Sequence, residues 1–402
     1  MSLADVPLLL ALVGLTAYAV LGGADFGAGI WQLVGGRGER GVRIREHAHH
    51  AMGPVWETNH VWLIFVLVVC WTAYPTAFGS IASTLCVPLF IAAIGIILRG
   101  TAYAMRSGTA TAREQRRVEV LLAASSILTP FALGAVIGGI ASGRVPEGNA
   151  EGDLVTSWLN PTSILIGTLA VVTAAYLAAV FLAADAVRRR APELADAFRT
   201  RALVAGLVAG AVAMVGLPVV RSDAEEIWSG LTSGWGLVAV LASAVAGIVT
   251  LALVWARRFE PARYSAAVAV GSIVAGWAIA QSPQFLPGLT VEEAAAPHST
   301  LVAILVSVAI GALFLVPALA LLFTLVLRGR FDAAARGVAV DAAGGTATLS
   351  KPLLGVGLGC LAAAVLFLTL LEPGWAHAIG VVALFGFLFA TFIAVAASDP
   401  AG

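Results

Sequence analysis

Charge is what this sequence has least of. Only 11% of its 402 residues are Asp, Glu, Lys or Arg, where a soluble domain carries roughly 25%. The 23 basic residues balance 23 acidic ones, so no basic surface speaks for a nucleic-acid role. Cysteine is scarce as well. Cys70, Cys86 and Cys360 all fall inside apolar stretches at spacings that match no metal motif, and they are expected to act as small core residues. There is no CxxCH, no GxGxxG after a strand, no P-loop lysine and no strand-like alternation. The first apolar stretch lacks a basic leader and exceeds the core of a signal peptide, so it is expected to remain as a helix.

Hydrophobicity fills the chain instead: 60% of residues are hydrophobic and the mean hydropathy is +0.95. Apolar runs of about twenty residues, the length a helix needs to cross about 30 Å of hydrocarbon, recur at 6–30, 54–74, 79–104, 118–141, 163–187, 202–220, 235–256, 264–281, 301–327, 353–371 and 378–397. The sequence therefore predicts an all-α integral membrane protein of about eleven transmembrane helices. Loop alternation arranges them as two four-helix bundles (6–141 and 163–281) and a helix at 301–327, completing a membrane domain over 1–328. A linker over 329–352 and an extra C-terminal helical pair within 353–402 follow. The loops at 31–53, 105–117, 188–201, 257–263 and 328–352 hold 4, 4, 5, 3 and 4 basic residues, and the opposite loops hold only Arg144 and Arg221. The positive-inside rule then places the N-terminus outside and the C-terminus in the cytoplasm. Most of the ten tryptophans lie near span ends and read as interfacial anchors.

Against this background the few charges inside the runs stand out. Asp25 lies in Gly22-Gly23-Ala24-Asp25-Phe26-Gly27-Ala28-Gly29 near the basic end of the first span. Gly22 and Gly29 share its face and allow another helix close. Glu57 follows Pro54 by three residues, in a first helical turn where the dipole favours an anion. The third span delivers Arg99 to the same depth. Three charged groups on consecutive helices thus converge on one layer, with Trp56, Asn59 and His60 beside them. Two readings stay open. Asp25 and Glu57 could form a proton path tuned by Arg99, or the charges could be structural glue.

Metals and haem find little support in the pattern. Glu57-x-x-His60 and Glu46-x-x-His49 repeat a di-metal spacing, but they are about 16 Å apart along a helix and the remaining bundle glutamates are missing. His47, His49 and His50 read as a solvated interfacial cluster. His298 and His377 lie in outer loops, which leaves His60 as the one histidine well inside a span and no facing axial pair for a haem.

Three segments carry a family resemblance: Gly22-Gly23-Ala24-Asp25-Phe26-Gly27; Gly53-Pro54-Val55-Trp56-Glu57-Thr58-Asn59-His60-Val61-Trp62-Leu63-Ile64; and Arg99-Gly100-Thr101-Ala102-Tyr103. In order and spacing they resemble subunit II of cytochrome bd-type quinol oxidases. The resemblance implies a haem-free respiratory subunit of a bacterial cytoplasmic membrane, packed against subunit I. That partner would carry haems b and d, meet the quinone pool and reduce O₂ to water. Membrane lipid and a small accessory subunit are further expected partners. Asp25 and Glu57 match the family's acidic positions in a proton channel, and Arg99 matches its arginine. Ala104 and Met105 stand where an acidic residue often follows, and the last two spans depart from the family pattern. Outside the resemblance, the alternatives are a secondary transporter and a structural scaffold.

Overall fold

The computed structural model describes residues 2–36, 38–52, 56–106, 112–327, 351–369 and 374–396. The protein is an all-α integral membrane protein. Among the described residues, eight helices are long and apolar enough to cross a bilayer: Asp5–Leu33, Cys86–Met105, Arg117–Ala141, Pro161–Arg188, Pro192–Asp223, Gly234–Trp255, Phe259–Gln281 and His298–Leu321. The expected second span coincides with α4 (Trp56–Ala73), and the expected final pair with Lys351–Thr369 and Gly374–Ala396. The chain divides into two compact units, Met1–Leu319 and Ala320–Gly402, whereas the sequence places the boundary near 328. The second unit holds the last turns of the helix His298–Leu327 and the final helical pair, in which Gly386 makes room for the Cys360 thiol. The expected linker lies largely outside the described residues.

The first unit opens with one long span built from α1 (Asp5–Ala17), a π-helical turn (Tyr18–Gly22) and α2 (Gly23–Leu33). Next come α3 (Gly38–Met52), α4, α5 (Pro75–Thr84), α6 (Cys86–Arg106), α7 (Ala112–Ala141), α8 (Pro161–Arg188) and α9 (Pro192–Asp223). The rest are α10 (Glu225–Leu231), α11 (Gly234–Trp255), α12 (Phe259–Gln281), β1 (Gln284–Leu286), β2 (Leu289–Thr290), α13 (Val291–Ala294) and α14 (His298–Leu327), the last of which leaves this unit at Leu319. α8 is the central element. Its alanines, including Ala174, Ala178, Ala179 and Ala183, are buried against α2, α3, α9 and α12. Without a hydrophobic effect between helices in lipid, close backbone approach through small residues supplies the packing. The outward faces of α9 and α11 carry Leu207, Val215, Leu241 and Ile248, all exposed, as a lipid-facing surface requires.

Four expectations need correction. The segment 31–53, read as a loop, contains α3: its charges mask a stripe of Ile44, His47 and Ala48, which is buried toward α8 and α9. His47 is accordingly not solvated. Its Nε2 lies 3.1 Å from the Leu182 carbonyl and its ring packs on Phe198. The expected third span at 79–104 is two helices, α5 and α6, broken at Leu85, which is fully buried in a cluster with Tyr74, Val145 and Leu286. Strand structure is present as the β1–β2 hairpin, which lies between the spans Phe259–Gln281 and His298–Leu321.

Opposite the arginine-rich end, Arg144 pairs with both oxygens of Asp223, at 3.2 and 2.6 Å. Asp223 also accepts from the Thr162 backbone N–H at 3.1 Å and its hydroxyl at 2.6 Å, tying the end of α9 to the start of α8. Asp223→Ala is expected to lower stability by about 1.5–3 kcal/mol, seen as a lower midpoint in detergent thermal unfolding followed by tryptophan fluorescence.

Candidate functional site

The GGADFGAG run explains why a charged residue is buried at this point. A Cβ on Gly27 would overlap the Ala174 carbonyl of α8, and one on Gly29 would overlap the Ser126 hydroxyl of α7. With only hydrogens there, α2 sinks between α7 and α8 and takes Asp25 out of reach of lipid. Asp25 lies 8 residues before the end of α2 and Arg99 7 before the end of α6, about 12 and 10 Å from those ends. The two side chains therefore sit at matched depth, and both are 0% exposed.

Arg99 engages Asp25 as a fork. Nε donates to Oδ2 at 2.9 Å, and Nη2 donates to Oδ1 and to the Asp25 backbone carbonyl, both at 2.7 Å. Nη1 donates to the Ser126 hydroxyl at 2.8 Å, and that hydroxyl in turn donates to the Leu122 carbonyl at 2.6 Å. The guanidinium is flanked by the rings of Phe26 at 5.0 Å and Tyr103 at 5.3 Å. Planar, bidentate and ring-flanked contacts of this kind suit arginine and not lysine. The Tyr103 hydroxyl stands 3.5 Å from Asp25 Oδ1. Arginine does not release its proton, so Arg99 serves this site as a fixed positive charge.

α4 borders this pair on one side. Asn59 Nδ2 donates to the Leu21 carbonyl at 3.3 Å, inside the π turn. Such turns release a backbone group from the regular ladder and concentrate at functional sites. His60 packs edge-on to Tyr18 and Phe26, with centroids 6.0 and 5.9 Å away. The side chains of Glu57 and Trp56 lie outside the described residues, so α4 is placed at the site by Asn59 and His60. On the arginine-rich side, His49 of α3 stacks on Tyr103, with centroids 5.5 Å apart and planes 21° off parallel.

The structure thus brings together Asp25, Arg99, Asn59 and His60, and adds Tyr18, Phe26, Tyr103, Ser126 and His49. Ser126 was hidden as one of several hydroxyls in apolar helices. The Ser125-Ser126 pair was its one signal. No group of three or more metal-type ligands exists among the described residues: His47 turns to α8, His49 to Tyr103, and His50 back to the Glu46 carbonyl at 2.8 Å.

Burial pushes the His47 imidazole below its ordinary value of 6.5, opposed by the Leu182 carbonyl and Asp185 and assisted by Arg189 and His50. The folded state then binds the proton later than the unfolded one. The stabilisation is complete above pH 6.5 and is lost as pH falls below it toward the depressed folded value. His47→Gln is expected to flatten this acid limb in unfolding midpoints measured across that window.

Residues 3–326 match the family model described as cytochrome bd terminal oxidase subunit II. A putative cytochrome bd menaquinol oxidase subunit II of Bacillus subtilis (strain 168) is 21% identical over 235 residues, covering 58% of this chain and 67% of that protein. Cytochrome bd ubiquinol oxidase subunit 2 of the same organism is 25% identical over 167 residues, covering 41% of this chain and 48% of its own. A chain in the structure of bd oxidase from Geobacillus thermodenitrificans superposes with a TM-score of 0.64 at 24% identity, over 81% of this chain and 99% of that one. That likeness shows the fold.

Proposed function

The chain belongs to the cytochrome bd terminal oxidase subunit II family, and on that premise we propose that it is the haem-free half of a heterodimeric quinol:oxygen oxidoreductase. It scaffolds subunit I and supplies protons from the cytoplasm. Electrons pass from quinol through haems b and d in subunit I, where O₂ is reduced to water. The arginine-rich end faces the cytoplasm of a bacterial inner membrane, so protons consumed in water formation come from that side. This separates charge across the bilayer.

One observation carries the proposal: a completely buried Asp25–Arg99 pair at the depth where α4 begins, linked toward the arginine-rich face by Tyr103 and His49. Asp25 holds negative charge along the route, Glu57 exchanges protons, and Arg99 offsets the charge of Asp25. Haem fits this chain poorly, because Tyr18 and Phe26 occupy two sides of the His60 ring.

The fork geometry also favours a second reading, in which Asp25 and Arg99 only clamp α2 to α6. Family membership displaces the transporter reading. Purification in mild detergent tests the assignment: a haem-bearing chain with b- and d-type absorbance is expected alongside this one, and a colourless lone chain would overturn it. Glu57→Gln is expected to slow quinol-driven O₂ consumption about a hundredfold or more, within the range a positioned proton-transfer group contributes, at unchanged haem content.

A further inference from the structure

At the arginine-rich end, away from the Asp25 site, a cavity of about 600 Å³ opens between the end of α2, the first turns of α3 and the start of α9. Trp31, Ile44 and Val204 form its apolar walls, and Arg40 and Arg201 stand on its rim. The Trp31 indole is fixed in place, since its N–H donates to the Ala175 carbonyl at 2.7 Å.

The two arginines differ from the next basic residues of α3. Arg43 pairs with Glu193, and Arg45 approaches Glu119 and donates to the Gly36 carbonyl at 2.8 Å. Among the described residues neither Arg40 nor Arg201 has a carboxylate within ion-pair distance. Arg201 is held with one N–H on the Ala197 carbonyl at 3.0 Å and its guanidinium 5.7 Å from the Trp31 and Phe198 rings. Two like charges therefore share one concavity, where the first turn of α3 adds the positive end of its dipole. Below the cavity the outward face of α9 continues as Val204, Leu207 and Val208, all exposed. A charged mouth thus leads into an apolar groove.

We propose that this cavity binds the phosphodiester of an anionic phospholipid of the phosphatidylglycerol class. The phosphate lies between Arg40 and Arg201, and an acyl chain runs down the Val204–Leu207–Val208 face. Charge complementarity selects an anion, since guanidinium donors match phosphate oxygens. The apolar continuation selects a lipid over a free ion. Basic pockets between spans at headgroup depth recognise lipid in this way. The site does not depend on the proton-path reading.

The test is native mass spectrometry of the whole oxidase complex released from nanodiscs of phosphatidylglycerol or phosphatidylcholine, with inorganic phosphate as a separate probe. A retained phosphatidylglycerol adduct is expected on the wild type. Its occupancy should fall about fivefold for each arginine neutralised in Arg201→Gln and Arg40→Gln. The exposed Arg40→Glu change reverses the charge without disturbing the core and should remove the adduct at unchanged haem content and unfolding midpoint. Equal retention of phosphatidylcholine, displacement by inorganic phosphate alone, or full retention in Arg40→Glu would each overturn the proposal.

Discussion

Asp25→Ala is expected to remove most haem-loaded complex from the membrane and to lower the stability of what remains by about 3–5 kcal/mol, the penalty for leaving a buried charge without its partner. Arg99 is 0% exposed and gives two of its hydrogen bonds to the Asp25 carboxylate, so without that side chain its charge keeps only the residue-25 carbonyl, the Ser126 hydroxyl and the Phe26 and Tyr103 rings. Arg99→Leu alone should be comparably damaging, because it strands the carboxylate. The double change Asp25→Leu/Arg99→Leu removes both charges and should recover most of the lost complex, a coupling that a double-mutant cycle isolates. The readouts are haem per polypeptide and the unfolding midpoint. Additive losses in the double variant would show that the two residues act separately. If the double variant assembles yet respires slowly, the pair does more than clamp. If it assembles and turns over fully, the clamp is its whole role.

Gly27→Ala is the second large effect. The added methyl would overlap the Ala174 carbonyl, and Ala178 stands on the same side, its Cβ 2.7 Å from the methyl position. Backbone cannot yield as a flexible side chain does, so α2 must move off α8. Overpacking of this kind typically costs about 1–3 kcal/mol, and here the shift also moves Asp25 relative to Arg99. Lower expression of the complex and reduced O₂ consumption are expected together. Gly210→Ala is the matched control: that position on α9 meets open space and should be neutral or slightly stabilising, since alanine is the better helix former. Equal behaviour of the two variants would refute the role assigned to close α2–α8 packing.

Asp25 and Arg99 were legible in the sequence because a charge inside an apolar run is costly and therefore rare. Loop polarity put them at one depth, and the geometry adds a fork of hydrogen bonds that no spacing rule specifies. Ser126, Phe26 and Tyr18 were not legible, since in a membrane helix they differ little from residues that merely pack. The π turn was invisible because it changes register without requiring any particular residue, and only the Asn59 contact with the Leu21 carbonyl exposes its consequence. α3 was obscured for the opposite reason. Its arginines entered the topology count as loop charges and drowned the short apolar stripe of Ile44, His47 and Ala48. The break at Leu85 escaped because apolar runs report depth in the membrane, whereas helix ends depend on how Tyr74 and Leu85 pack with the hairpin beyond the spans.

In the proposed function this subunit feeds protons to oxygen chemistry in its partner through the layer of Asp25 and Glu57. The most direct test is proton uptake during haem reoxidation by O₂, followed with a pH-indicator dye in vesicles holding the intact oxidase, wild type against Glu57→Gln. Uptake and turnover are expected to slow together by about a hundredfold or more, on the arginine-rich side only, with b- and d-type absorbance unchanged. Uptake at the wild-type rate in a fully haem-loaded Glu57→Gln oxidase would contradict it.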